Sequence, residues 1–164
     1  MPYRDALLRE FDHEMSTTRA LLERVPADRA AWRPHAKSTP LGQLAMHLTQ
    51  IPRLATRAMR ESEVEAASGG GPQRMEYTAA LLAAFDESVA AAREAIEAAS
   101  DEDMRARFTF KAGGREIFSV PRTAMLRTFL MNHMIHHRGQ ISVYLRLNDV
   151  PLPSIYGPTA DEPL

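Results

Sequence analysis

The chain has 164 residues, a formal net charge of −1 at pH 7 and no cysteine. This length fits one domain with its own core, and the lack of cysteine excludes disulfides, thiolate metal ligands and a protein-borne thiol nucleophile. The charges are interspersed and no stretch reaches the roughly 18 apolar residues of a membrane span, so we expect neither nucleic acid nor membrane as a partner. We predict one cytoplasmic domain, residues 1–164, whose partner is a small molecule or another protein.

The first predicted helix covers residues 4–25, where apolar residues recur every three or four positions. Three consecutive polar residues, Asp12, His13 and Glu14, interrupt this pattern and point in three directions around the helix. We expect most of this triplet to be solvated. Glu14 lies nearest the apolar face, and a supporting role at a functional site is the less ordinary alternative for it.

The single tryptophan, Trp32, lies in a proline-containing loop, residues 26–39, and is expected to plug the core. Thr39 is suited to cap the next helix and Pro40 to be its first residue. A second helix is therefore predicted over residues 40–60.

The next segment, residues 61–73, has alternating glutamates followed by Ser-Gly-Gly-Gly-Pro. This composition predicts a flexible excursion between helices, either a plain linker or a lid. A third helix is predicted over residues 74–99, where many alanines favour helix and allow close packing.

After this helix the pattern changes from helical to strand-like. Aromatic and polar residues alternate over residues 107–118 about Gly113 and Gly114, which is typical of a two-residue β-hairpin with positive φ at both turn positions. In this register Lys111 faces Glu116, a favourable cross-strand pair.

A fourth helix is predicted over residues 121–147, with Pro121 in its first turn. The proline-rich residues 150–158 are expected to form an extended tail that Ile155 and Tyr156 hold against the helices. Together these elements predict an all-α fold, a four-helix bundle with a short β-hairpin between helices 3 and 4 and an extended C-terminal tail.

Three histidines fall on inward faces of two predicted helices. His133 and His137 are four residues apart and project side by side, and His47 lies on the buried stripe of the second helix. Imidazole is a common ligand for zinc, nickel, copper and iron, and bundles build metal sites from inward side chains on facing helices. The pattern predicts a divalent-metal site at these three residues, with one side of the metal open as in catalytic sites.

The alternative interpretation is that these are core histidines satisfied by hydrogen bonds, or that their spacing is a coincidence. Three buried imidazoles without a metal would be costly to desolvate, which favours the metal. His136 is a candidate for the surroundings of the site, and Gln140 is a candidate to support a ligand or contact substrate. Gly139, in mid-helix, costs about 1 kcal/mol relative to alanine, so we expect a close neighbour there.

Four short stretches, taken in order, resemble the DinB-like (damage-inducible) family, and the resemblance covers nearly the whole chain. They are Trp-Arg-Pro at 32–34, the stretch 41–47 that ends in a histidine, His-Met-Ile-His-His-Arg-Gly-Gln at 133–140, and the proline-rich ending at 150–162.

This resemblance implies a four-helix bundle with a three-histidine metal centre, which falls on His47, His133 and His137. Relatives include thiol-dependent S-transferases that use bacillithiol or mycothiol, and a mycothiol-dependent isomerase, while many members have no known activity. Homodimers are common among them. Some relatives have a carboxylate at the position of His133, and position 136 varies, so the metal and the reactivity can differ here.

The resulting hypothesis is a thiol S-transferase in which a divalent metal, zinc or nickel before iron, activates an external low-molecular-weight thiol for attack on a small electrophile. His136, Gln140 and Tyr156 are the candidates to orient substrate or relay protons. Three alternatives stay open: a metal-dependent hydrolase, a non-catalytic metal-binding stress-response module, and a bundle without metal. A homodimer is expected.

Overall fold

The computed structural model describes residues 3–66 and 78–163 of the chain, and most of these residues are helical. Amphipathic spacing accounts for the long helices, because it gives each one a continuous apolar face for the core. The prediction of a mostly helical fold is confirmed, with a small sheet in addition. The helices are α1 Tyr3–Leu22, α2 Leu41–Arg60, α3 Thr78–Glu97, α4 Asp101–Arg105, α5 Arg122–Met125 and α6 His133–Arg146.

The four longest helices pack in a ring, because α1 and α2 each contact both α3 and α6. All four contribute side chains with no more than 1% exposure to one core, including Phe11, Leu48, Phe85 and Met134. Each such side chain stabilises the fold by about 1.5–3 kcal/mol. Within residues 3–66 and 78–163, none of the helices has the length and hydropathy that crossing a membrane requires.

Among the described residues the sheet has three short strands, β1 Glu63–Glu65, β2 Arg107–Ala112 and β3 Arg115–Pro121, in the order β1-β2-β3. Strand β1 pairs with β2 in parallel, and β2 pairs with β3 antiparallel. The predicted hairpin is confirmed, since Gly113 and Gly114 have φ angles of 58° and 74° and join β2 to β3.

Strand β1 corrects the prediction that residues 61–73 form only a flexible linker or lid. Its central residue, Val64, is 2% exposed and belongs to the core, while the glutamates on either side are exposed. Three residues are too few for their alternation to stand out in the sequence. Residues 67–77, with the rest of the predicted linker and the predicted start of the third helix, lie outside the described residues.

The last helical segment agrees with the prediction in extent but not in type. Between α5 and α6, seven residues, Leu126–Asn132, form a π-helix, and α6 begins at His133. π-Helical turns are rare and are frequent at functional sites. Apolar periodicity does not reveal this one, because Leu126 and Leu130 are buried as an α-helix would also predict.

Two predicted helix starts shift by one residue. Helix α2 begins at Leu41, so its cap position falls on Pro40 rather than Thr39, and no side chain caps it. Pro121 ends β3 and occupies the cap position of α5 instead of its first turn. The fixed φ of proline is compatible with both positions, so the sequence alone does not separate them.

Residues 148–163, the described part of the tail, have neither helix nor strand, as the prolines predict. Ile155 packs against the core as expected. Tyr156 differs, because the residue is 63% exposed, and it is held by its hydroxyl, which binds Glu14, and by Arg138, whose guanidinium lies over its ring. Trp32 is half-buried and packs edge-on against Tyr144, with ring centroids 5.5 Å apart, so it covers the rim of the core instead of filling it.

Two glycines give a matched test of the packing. A methyl group added to Gly42 would lie 2.7 Å from the Cβ of Ala30, whereas one added to Gly139 meets nothing within 4 Å. Gly42→Ala is therefore expected to destabilise the protein by about 1–3 kcal/mol, because the close approach to Ala30 outweighs the better helix propensity of alanine. Gly139→Ala, the control, is expected to stabilise it by about 0.5–1 kcal/mol. Urea unfolding of the metal-free protein measures both, and a Gly42→Ala protein as stable as wild type would contradict the close approach.

Candidate metal centre

The site lies where α2 and α6 pack against each other, with His47 on α2 and His133 and His137 on α6. Leu44 and Ile51, about one turn before and after His47, are 4% and 3% exposed, so their burial places His47 on the inward side of α2. The spacing of four residues places the other two histidines on one side of α6. All three imidazoles are half-buried.

The three side chains converge through their Nε2 atoms. Nε2 of His133 lies 2.8 Å from Nε2 of His137 and 3.3 Å from Nε2 of His47. The ligand atoms all lie within 4.8 Å of one another, and no fourth His, Cys, Asp or Glu among the described residues joins them. The structure thus brings together the three residues that the sequence predicts as metal ligands.

The two imidazoles on α6 also have partners outside the cluster. Nδ1 of His137 lies 2.7 Å from Oε1 of Gln140. Hydrogen bonding with the backbone of Phe129, in the π-helical segment, raises the pKa of His133 against the larger effect of burial. Outer partners of this kind fix the orientation and tautomer of metal-binding histidines.

The contact with Gln140 determines where the ring proton of His137 is. An amide oxygen only accepts, so Nδ1 of His137 carries the proton and its Nε2 has a free lone pair. Nε2 of His133 lies 2.8 Å from this lone pair, a distance at which the two nitrogens share either one proton or a cation. The donor set therefore fits a divalent metal, which prefers neutral imidazole nitrogens.

The electrostatics of the site keep the histidines neutral. Burial, and next the positive charge of protonated His137 and His133, lower the pKa of His47 to about 4, against a hydrogen bond to Gln50 that raises it. Burial also lowers the pKa of His133 and His137. At neutral pH all three rings are therefore in the form that ligates a metal.

The other predicted candidates are placed differently around the cluster. His136 is exposed, with its ring centroid 4.9 Å from that of His137, and it is not part of the cluster. Gln140 supports His137 through its amide oxygen. The hydroxyl of Tyr156 is bound to a buried ion pair. The described residues place nothing within 4 Å of a methyl group built on Gly139, so the close neighbour expected there is not among them.

The sequence did not predict that ion pair, which joins Arg138 and Glu14. Their side chains are 1% and 7% exposed, and Nη2 of Arg138 lies 2.6 Å from Oε2 of Glu14. Two signals were present: Arg138 follows Met134 by four residues and precedes Ile141 by three on the buried face, and Glu14 lies nearest the apolar face of α1. Most of the triplet is exposed as expected, since Asp12 and His13 face solvent, while Glu14 is buried with Arg138 as its partner.

The fold and the cluster define a mostly helical protein with three histidines that can hold a divalent metal ion. A model of the DinB family matches residues 1–163, and the chain belongs to this family. The resemblance found in the sequence motifs is thereby confirmed.

Two crystal structures are similar to the whole fold. A DinB-like protein from Bacillus cereus is 22% identical with a TM-score of 0.72, and the match covers 93% of this chain and 97% of that one. A DinB-like protein from Bacillus subtilis is also 22% identical, with a TM-score of 0.70 and coverage of 92% and 96%. At this identity the likeness concerns the fold alone. No curated protein matches the chain in sequence.

The lowered histidine pKa values make the metal-free protein sensitive to acid. The pKa of His47 falls from an ordinary 6.5 to about 4, so between these values the unfolded chain binds more protons than the folded one. The contribution of His47 to the free energy of unfolding is thus fully present above pH 6.5 and is lost as the pH falls towards 4. His47→Gln is expected to lose less stability than wild type between pH 7 and pH 5, as measured by urea unfolding without metal. His13→Gln, an exposed control, should follow wild type, and an unchanged pH dependence in His47→Gln would contradict the assignment.

Proposed function

We propose that His47, His133 and His137 bind a divalent metal ion and that the protein is a metalloenzyme. The observation that carries this proposal is the convergence of three Nε2 atoms, two of them 2.8 Å apart. Zinc or nickel is the preferred ion, with iron as the next choice, since all three accept imidazole ligands. The described residues add no fourth ligand to the cluster, so coordination positions are open to water or substrate.

We also propose that the ring of long helices is a four-helix bundle, with a homodimer as the assembly. The packing of α1 and α2 on both α3 and α6 supports the first part. In such bundles, metal sites form between inward side chains on facing helices, which is the placement of His47 opposite the α6 histidines.

The proposed reaction is the transfer of an external low-molecular-weight thiol to a small electrophile. The thiol loses its proton, its sulfur forms a bond to the electrophilic carbon, and the leaving group departs with the electron pair of the broken bond. The thiol must be external, because the chain has no cysteine. A bound divalent metal supplies Lewis acidity, which lowers the pKa of a thiol or water that binds to it.

Residues of the chain have separate tasks in this proposal. Gln140 holds the ring of His137, so the orientation of this ligand does not depend on substrate. His136 is exposed beside His137 and is the candidate to accept the proton that the thiol loses. Tyr156 has its hydroxyl bound to Glu14, which makes it a poor candidate to meet substrate.

His47→Ala and His137→Ala are each expected to abolish metal binding, because the two remaining imidazoles chelate too weakly. Elemental analysis of tag-free protein measures this, with about one equivalent of metal per chain expected for wild type. His13→Ala, which removes an exposed histidine from α1, is the control and should retain the metal. Metal retained in both cluster variants would refute the ligand assignment. Wild-type protein that takes up only a small fraction of an equivalent would show a bundle without metal.

Turnover separates the enzyme from the remaining alternatives. Cobalt(II)-loaded protein is titrated with a panel of small thiols, and each thiol is then combined with a panel of small electrophiles. The proposal predicts a change of the cobalt absorption bands on addition of thiol, and a thioether product, detected by mass spectrometry, that His137→Ala does not form. Hydrolysis of the electrophile without a thioether would indicate a hydrolase. Bands that respond to no thiol, with no product, would indicate a non-catalytic metal-binding module.

A further inference from the structure

A closed set of polar side chains joins α6, α1 and the C-terminal tail, and we call it the latch. Nη1 of Arg138 donates to the backbone carbonyl of Glu14 at 3.1 Å and to Oγ1 of Thr18 at 3.2 Å. The hydroxyl of Tyr156 lies 2.8 and 2.9 Å from the two carboxylate oxygens of Glu14 and accepts a hydrogen bond from Nη2 of Arg138. The latch consists of Glu14, Thr18, Arg138 and Tyr156.

The hydrogen bonds of the latch determine which way α6 is rotated about its axis. Arg138 is 1% exposed, and its guanidinium is a rigid planar fork whose hydrogen bonds require defined angles. A buried charge is strongly destabilising once it loses its partner, so Arg138 must keep facing Glu14 on α1. The apolar contacts of α6 bury one face of the helix, but they are non-directional and set its rotation less closely than hydrogen bonds with defined angles do.

His137 is the residue next to Arg138, about 100° further round the same helix. While the latch holds Arg138 towards α1, His137 faces His47 on α2. Side chains reach about 5–6 Å from a helix axis, so a rotation of α6 by about 20° would move Nε2 of His137 by about 2 Å. Metal–nitrogen distances tolerate only about 0.2 Å, so the rotation of α6 decides whether the three nitrogens share one ion.

We propose that the latch positions the metal centre: it sets the rotation of α6, and Tyr156 makes this depend on the docked C-terminal tail. The inference rests on the proposed metal binding. Tyr156 is a positioning residue, because it acts on His137 through Arg138 without touching the histidine cluster.

The tail has further anchors that hold Tyr156 in place. Arg146 pairs with Asp161, and Nη2 of Arg24 donates to Glu162 at 2.9 Å. The backbone N–H of Ser154 donates to the second carboxylate oxygen of Glu162 at 2.8 Å. These anchors are partly exposed, so the docking of the tail is the part of the latch that can change.

Coupling of this kind is reciprocal. If the docked tail favours metal binding, then bound metal must favour the docked tail by the same factor. A latch that only stabilised the fold would lack this property, because it would act equally on the metal-free and the metal-bound protein. The reciprocity therefore supplies a readout that a purely structural role does not affect.

The test uses Tyr156→Phe, which removes only the hydroxyl. Glu14→Gln is avoided because it leaves the charge of Arg138 buried without its counter-ion. Cobalt(II) affinity is measured by competition with a chelator, and amide hydrogen exchange of residues 150–163 is measured with and without cobalt(II). Tyr144→Phe removes a tyrosine hydroxyl from α6, outside the latch, and is the matched control.

The expected result is an affinity about 10-fold lower in Tyr156→Phe and unchanged in Tyr144→Phe, a loss comparable to that of outer partners of metal ligands. Cobalt(II) should slow exchange in the wild-type tail, and this effect should be absent in Tyr156→Phe. Wild-type affinity in Tyr156→Phe, or a tail whose exchange ignores the metal, would overturn the latch while leaving the metal site intact. A wild-type protein that binds no cobalt(II) would overturn the proposed metal site and the latch with it.

Discussion

The structure depends on one close contact, the approach of two imidazole nitrogens, Nε2 of His133 and Nε2 of His137, to 2.8 Å. Helices α2 and α6 are packed so that these nitrogens and that of His47 face one another, and burial lowers the pKa of each ring so that protons do not readily fill the space. Three neutral imidazole nitrogens this close together can hold a divalent metal ion.

The hydrogen bonds behind the ligands extend this constraint into the sheet. His133 hydrogen-bonds with the backbone of Phe129, and the ring of Phe129 stacks on Phe118 of β3 with centroids 4.1 Å apart. Phe118 in turn stacks on Phe110 of β2 at 5.4 Å. The aromatic stack therefore braces the π-helical segment from which His133 is held. Through it, the small sheet contributes to the geometry of the site as well as to the core.

Helix α6 thus makes two different kinds of polar contact, one with α2 and the other with α1. On the side of α2 the contacts are between neutral imidazole nitrogens, which can hold a cation. On the side of α1 the charged guanidinium of Arg138 binds the carboxylate of Glu14 and the hydroxyl of Tyr156. Apolar packing brings the helices together, while these polar contacts determine how each helix is turned.

The sequence by itself determined the long helices, the glycine turn of the hairpin and the three inward histidines, because periodicity and turn chemistry are local. It also determined the family through the order of short motifs. Only the tertiary structure decided that Val64 lies in a strand, that residues before His133 are π-helical and that Gln140 holds His137. It alone paired Arg138 with Glu14, which lies 124 positions away. A local pattern shows which face of a helix is buried, but a buried charge is defined by a partner that only the folded chain brings near.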